Sequence, residues 1–197
     1  MFEWINFALI LFSLVMFAFF YSLSTLPVTL SERRGERAWK ECGIYRFIAI
    51  LFEFAAIIFI FLWICYPFPP IDWPIHQHWW VGIIISIIIA IPSTAFMIVG
   101  MLHAGKETSA PSKETPMYGG IYNYIRHPQT LGEMSLFIAL GFAVNSWFMV
   151  LLLTAYVLLY TPIMIIIEEK DLIKRFGESY LEYRKRVGAL WLKRKRN

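Results

Sequence analysis

Residues 2–26, 45–66, 81–102 and 147–167 are nearly unbroken runs of apolar side chains. Runs of about 18 or more such residues reach across the hydrocarbon core of a bilayer. No water is available there, so every backbone N–H and C=O must be paired within the segment, and a helix does this. Composition agrees: 58% of the 197 residues are hydrophobic and 16% charged, against roughly 25% charged in a soluble domain. A fifth apolar stretch, residues 130–144, is short for a span. It is separated from residues 147–167 only by Asn145-Ser146, so the two read as a helical hairpin. The expectation is an all-α integral membrane protein with about five transmembrane helices and a C-terminal cytoplasmic helical cap. It forms one membrane domain over residues 1–197, with three spans in 1–103 and a cofactor-binding loop, the hairpin and a tail in 104–197. The first segment begins with Glu3 and Trp4 and lacks a positive leader region, and is expected to be a retained anchor.

Charge sets the orientation. All 18 Lys and Arg follow Glu32, and ten follow Glu169. They gather after the first and third spans and in the tail, whereas residues 67–78 and the Asn145-Ser146 break carry none. By the positive-inside rule the N-terminus is outside and the C-terminus cytoplasmic. The basic end, residues 193–196, is expected to meet anionic membrane lipids and not nucleic acid. Trp73, Trp79 and Trp80 read as an interfacial belt. His76 and His78, and the cysteines Cys42 and Cys65, lack metal-ligand spacing, so no metal is expected. The polar residues 30–43 and 103–126 read as loops. In the tail, Leu172, Phe176, Tyr180, Tyr183 and Val187 form one apolar stripe, with Gly177 as a helix C-cap and Ser179 with Glu182 as a capping box.

Between the third and fourth spans lies a knot of polar and aromatic residues, GGIYNYIRHPQTLGE, at positions 119–133. Arg126-His127-Pro128 joins a permanent cation, a titratable imidazole and a ring that fixes φ. Taken alone, Arg126 and His127 could be interfacial anchors and Glu168-Glu169 a polar helix end. The hairpin changes this, because it brings both motifs to the same cytoplasmic side, and Pro162 reads as a kink that splays the helix end around a pocket. Glu53, in mid-span, serves either a structural hydrogen bond or a substrate tunnel, and Glu133 reads as adjacent to the site.

Tyr122, Arg126-His127-Pro128, Gly132, Glu168-Glu169, Leu172, Phe176-Gly177, Tyr180, Tyr183 and Val187 together resemble the isoprenylcysteine carboxyl methyltransferase family, in its small prokaryotic and archaeal form. That family sits within a wider group that includes phospholipid N-methyltransferases. The resemblance implies S-adenosylmethionine as cofactor, with Glu114, Thr115, Pro116, Met117, Tyr122, His127, Pro128, Gln129, Thr130 and Glu168 as its binding residues. It implies Arg126, His127 and Glu168 as the catalytic set and leaves Glu53 and Glu133 as substrate candidates. The family usually has Tyr at the position of Thr130, and eukaryotic relatives carry a substrate-marking arginine where this chain has Met164.

Chemically, Glu168 suits ribose hydroxyls or an ammonium, Arg126 and the N–H groups near Gly119-Gly120 a carboxylate, and Tyr122, Tyr124 and Phe176 an adenine or sulfonium. A carboxylate acceptor, such as that of a prenylated cysteine, needs no base; an amine or thiol does, and His127 is then the candidate. Three alternatives stay open: a phospholipid N-methyltransferase-like enzyme, an NADPH-dependent sterol-reductase-like enzyme, and a non-catalytic lipid-binding membrane protein.

Overall fold

A computed structural model describes residues 1–68, 71, 73–113 and 119–193. Among the described residues all regular structure is helical. Seven α-helices follow in chain order: α1 (Phe2–Ser24), α2 (Pro27–Arg34), α3 (Arg37–Leu62), α4 (Trp80–Ala104), α5 (Pro128–Ala143), α6 (Trp147–Phe176) and α7 (Glu178–Arg186). Four of them, α1, α3, α4 and α6, are long and apolar enough to cross a membrane. α5 has 16 residues, about 24 Å at 1.5 Å per residue, short of the ~30 Å hydrocarbon core. It is the short fifth membrane helix that the sequence implies.

Helices with lipid on one side associate through close packing and interhelical hydrogen bonds. α1 packs on α3, α4 on α5 and α5 on α6, whereas α3 and α4 make only marginal contact. Ile10 and Phe17 of α1, Ala49 and Ile60 of α3, and Leu153 and Met164 of α6 share one buried core. α1 and α6 are tied by Tyr156 Oη donating to the Leu14 carbonyl at 3.2 Å and Tyr160 Oη to that of Ala18 at 3.1 Å. Gly132 lets α4 and α5 touch backbone to backbone: a Cβ there would lie 2.3 Å from the Ser93 carbonyl oxygen and 2.6 Å from the Met97 nitrogen.

The two ends of the bundle differ. At one, the Ile75 N–H donates to the Asn145 carbonyl (3.1 Å) and the Trp147 N–H to that of Trp73 (2.8 Å), so the connection that carries no Lys or Arg lies against the α5–α6 turn. Ser146 caps α6 there by accepting from the Met149 N–H, and Trp73, Trp79 and Trp80 are exposed. At the other end are α2, the starts of α3 and α5, the ends of α4 and α6, and α7.

Several boundaries correct the sequence reading. Residues 30–43 are not a loop: α2 occupies part of them, Gly35 at φ +63° breaks the chain, and α3 begins at Arg37, eight residues before the expected span. A helix emerging into water does not stop at the membrane edge, and polarity alone concealed this. α6 likewise runs unbroken past Pro162 and through Glu168-Glu169 to Phe176. The capping box does not form. Ser179 Oγ donates back to the Phe176 carbonyl at 2.6 Å, and Gly177, at φ +60°, serves both helix ends.

Substituting Gly132→Ala should destabilise the detergent-solubilised protein by roughly 1–3 kcal/mol, because overpacking against backbone outweighs the ~1 kcal/mol gain in helix propensity. Gly43→Ala is the control, since its Cβ would meet only Ala110 Cβ at an ordinary 3.6 Å. Thermal unfolding should therefore separate the two variants, with Gly43→Ala neutral or stabilising.

Candidate functional site

α5 begins where its chain is pinned to the tail. The Arg126 N–H donates to the Gly188 carbonyl (2.9 Å) and the His127 N–H to that of Ala189 (3.0 Å). Pro128 takes the first helical position, where no N–H is needed. The buried His127 side chain therefore has one orientation, and it meets both glutamates at the far end of the hairpin. Its Nε2 lies 3.2 Å from Glu169 Oε1 and its Nδ1 3.1 Å from Glu168 Oε2.

Glu169 is the centre of this cluster. Oε1 also accepts from Arg126, Nε at 2.8 Å and Nη2 at 2.7 Å, and Oε2 pairs with Arg184 Nε at 3.0 Å. The remaining Arg126 nitrogen, Nη1, donates to the carbonyls of Arg184 and Val187. The Arg126 guanidinium thus spends its donors on the protein and fastens the tail over the α5 entrance. His127 has a carboxylate at each ring nitrogen, which suits the doubly protonated imidazolium. Burial opposes that charge, but the attraction and hydrogen bonds of Glu168 and Glu169 prevail and lift its pKa to about 9. At neutral pH it is a donor, not a base.

A cavity of about 410 Å³ opens beside this cluster. The end beside the cluster holds Arg126, His127, Glu168, Phe176, Tyr180 and Tyr183. Its inner end holds Glu53, Phe54, Ile57, Met97, Thr130 and Glu133. These inner walls come partly from α3 and α4, the two helices that barely pack on each other. Tyr122 and Gln129 also line the cavity, with Gln129 Nε2 donating to Tyr122 Oη at 2.7 Å and Tyr122 Oη to the Gly100 carbonyl at 3.2 Å. Pro128 does not line it; it is fully buried, its ring against Gly100. Of the expected set, then, Glu53, Tyr122, Arg126, His127, Gln129, Thr130, Glu133 and Glu168 share one cavity. Glu114, Thr115, Pro116 and Met117 lie outside the described residues. Near Gly119-Gly120, the Ile121 N–H is taken by His103 Nδ1 at 3.2 Å. Met164, at the position of the substrate-marking arginine, is buried in the helix core and does not line the cavity.

Further cavity residues had no signal in the chain order. Glu107, in a short 3₁₀ turn (Gly105–Thr108), forms a buried ion pair with Arg175 at 2.6 Å. Arg46 of α3 donates to the carbonyls of Glu107 (2.7 Å) and Thr108 (3.0 Å) and to Ser24. The buried Asp171 accepts the N–H groups of Val28 and Thr29 at 3.1 and 2.7 Å, which caps α2. Glu168, Asp171, Leu172 and Arg175 follow helical spacing, so one face of α6 carries all of these contacts.

The sequence model of a family described as phospholipid methyltransferase matches residues 80–179, just over half of the chain. The chain is 36% identical over 86 residues to methanethiol S-methyltransferase 1 of Bradyrhizobium diazoefficiens, covering 44% of this chain and 28% of that protein. It is 37% identical over 87 residues to methanethiol S-methyltransferase of Pseudomonas deceptionensis, covering 44% of this chain and 30% of that one. The matches therefore span under a third of the length of these curated relatives. No solved structure matches the chain.

The His127 geometry has a pH signature. A group whose folded pKa lies above its unfolded value contributes its full stability below about pH 6.5, the ordinary value, and loses it as the pH rises through about 9. Unfolding midpoints should fall across that window, and His127→Gln should flatten the fall. A wild-type midpoint that is level from pH 6.5 to 9 would contradict the assignment.

Proposed function

Because the chain belongs to the phospholipid methyltransferase family, we propose that it is an integral membrane methyltransferase that uses S-adenosylmethionine and methylates a lipophilic nucleophile, with its site on the cytoplasmic side. The observation that carries this reading is the single cavity running from the Arg126–His127–Glu168–Glu169 cluster to an apolar inner wall. Family membership favours transfer over reduction, and the wider group contains the isoprenylcysteine carboxyl methyltransferases that the motif resembles.

The residues present fit such a cofactor. The volume lies in the range of ~300–1,000 Å³ usual for small-molecule sites. Glu168 keeps one oxygen for a ligand beyond its bond to His127, and Phe176 and Tyr183 offer aromatic faces. When bound, the cofactor supplies a methyl group on a sulfonium centre. The chain's part is positioning in a cavity sheltered from water, which by itself lowers a barrier by ~7–11 kcal/mol. Glu168 holds the cofactor through its second oxygen, His127 orients Glu168, and Arg126 acts through Glu169 as a positioning residue.

The acceptor end favours one class over another. Glu53 and Glu133 line it, while Arg46, the cation beside them, donates to Ser24 and to the carbonyls of Glu107 and Thr108. A carboxylate acceptor, such as that of a prenylated cysteine, would meet two acidic side chains there without a dedicated cation. A thiol or an amine meets no such repulsion, and its departing proton has Glu133 or Glu53 to receive it. The named activity of the methanethiol S-methyltransferases is in keeping with this.

Calorimetry with S-adenosylhomocysteine on the solubilised protein should detect binding, weakened about tenfold or more by Glu168→Ala, since a hydrogen bond to a charged group contributes about 1.5–3 kcal/mol. No binding by the wild type, or undiminished binding by the variant, would sink the cofactor reading. For the acceptor, transfer of a labelled methyl group should reach an alkyl thiol or amine and be lost in Glu133→Gln. Transfer to a prenylated cysteine carboxylate alone would overturn the acceptor preference and leave the cofactor reading standing.

A further inference from the structure

Beyond the stretch that pins it to α5, the tail turns and presents two adjacent apolar side chains to its surroundings. The carbonyls of Gly188 and Ala189 take the N–H groups of Arg126 and His127, directly before α5. The next side chain, Leu190, packs against the buried helix core. The chain then folds back tightly: a Cβ on Gly188 would lie 2.0 Å from the Trp191 carbonyl oxygen, and Lys193 Nζ donates to the Lys185 carbonyl at 2.6 Å. On this turn Trp191 and Leu192 stand 72% and 68% exposed. Tyr124, next to the bridge between Ile125 and Gly188, is exposed as well.

Their place in the bundle says what covers them. α5 is a membrane helix, so the backbone bonded to Arg126 and His127 runs at the level where the bundle leaves the hydrocarbon. Leu190, one residue earlier, already touches the core. Trp and Tyr gather at that level in membrane proteins, because one part of the ring system is apolar and the other can meet water. Water alone is a poor environment for two neighbouring large apolar side chains held out by a structured turn. Charge agrees: Lys193, Arg194, Lys195 and Arg196 follow directly in the sequence, and a basic run beside a bilayer is attracted by anionic headgroups. A protein partner would have to be apolar, acidic and placed in the headgroup plane, and an anionic leaflet is all three.

This contact reaches the site. Arg126 Nη1 donates to the carbonyls of Arg184 and Val187, and Arg184 Nε pairs with Glu169. Those bonds exist only while the tail lies across the entrance of α5. We propose that Trp191 and Leu192 insert into the interface of an anionic leaflet, assisted by the basic residues after them, and that this lipid contact keeps the tail seated on the Arg126–Glu169 cluster.

The test uses the full chain in nanodiscs of phosphatidylcholine with phosphatidylglycerol. The emission of Trp191, isolated as wild type minus Trp191→Phe, should be blue-shifted and should be quenched by brominated lipid. Unquenched emission typical of water would overturn the proposal. So would blue-shifted emission that brominated lipid leaves untouched, since a protein surface would then cover the residue. Seating of the tail is read from trypsin cleavage after Lys185 and Arg186. Cleavage should be about tenfold faster in the double variant Trp191→Ser/Leu192→Ser, the effect of one large apolar side chain no longer reaching lipid. Equal rates would end the seating role. The double variant should keep the wild-type helix content, because both side chains stand clear of the core; if it does not fold, Trp191→Ser alone carries the comparison. Wild-type cleavage should also rise several-fold in discs of phosphatidylcholine alone, and equal rates in the two kinds of disc would overturn the part given to anionic lipid.

Discussion

The Glu169 carboxylate is the point on which the site depends. It is almost wholly buried near the end of a membrane helix and receives Arg126 and His127 on one oxygen and Arg184 on the other. An isolated carboxylate in such a place would be prohibitively expensive. Paired on both oxygens, it instead makes removal of any partner costly, because an uncompensated charge is left behind. Its three partners come from the approach to α5, its N-cap and α7. One side chain of α6 thus fixes where α5 begins and where the tail crosses it. It also settles the neighbouring residue: with His127 Nε2 taken by Glu169, Nδ1 is presented to Glu168, whose second oxygen is left to the cavity.

The adjoining face of α6, which carries Asp171 and Arg175, works in the same way at longer range. Asp171 holds the start of α2, and Arg175 holds the 3₁₀ turn after α4 through Glu107. Arg46 then ties the same turn to α3. Each link replaces a backbone or side-chain partner that water would otherwise supply, and together they close the charged end of the bundle around the cavity. At the inner end, among the described residues, α3 and α4 barely pack on each other, and Phe54, Ile57 and Met97 surround the polar Glu53, Thr130 and Glu133. The cavity is therefore framed by ion pairs and hydrogen bonds at one end and by two sparsely packed helices at the other.

Much of this could be read from residue order, for reasons specific to each element. The apolar runs fixed the helices because lipid leaves the backbone no alternative. The two-residue break at Asn145-Ser146 forced α5 and α6 together, which brought Arg126-His127 to Glu168-Glu169 across more than forty residues. What escaped notice was of two kinds. The ion pairs Arg175–Glu107 and the Arg46 contacts join residues 68 and 61 to 62 apart, and no local pattern announces such a pair. The second kind was masked by a stronger pattern. Leu172 and Phe176 drew residues 172–187 into an apolar stripe, while Asp171 and Arg175, one residue before each, carried the polar contacts.

The chemistry proposed for the cavity gives this uneven construction a purpose. Methyl transfer asks little of acid–base catalysis and much of placement, so the cofactor end must be held to within tenths of an ångström by groups that are themselves immobile. The Glu169 cluster meets that demand with charge-assisted bonds, which fix direction as well as distance. A lipophilic acceptor has the opposite need: it must arrive from the membrane and leave to it, and a wall of apolar side chains on two loosely packed helices accommodates chains of different shape at little cost. Glu53 and Glu133 sit on the acceptor side of that boundary. Their burial in a membrane calls for a ligand or a proton to share the space with them, and on the proposed chemistry the acceptor, and not the cofactor, is the ligand that would do so.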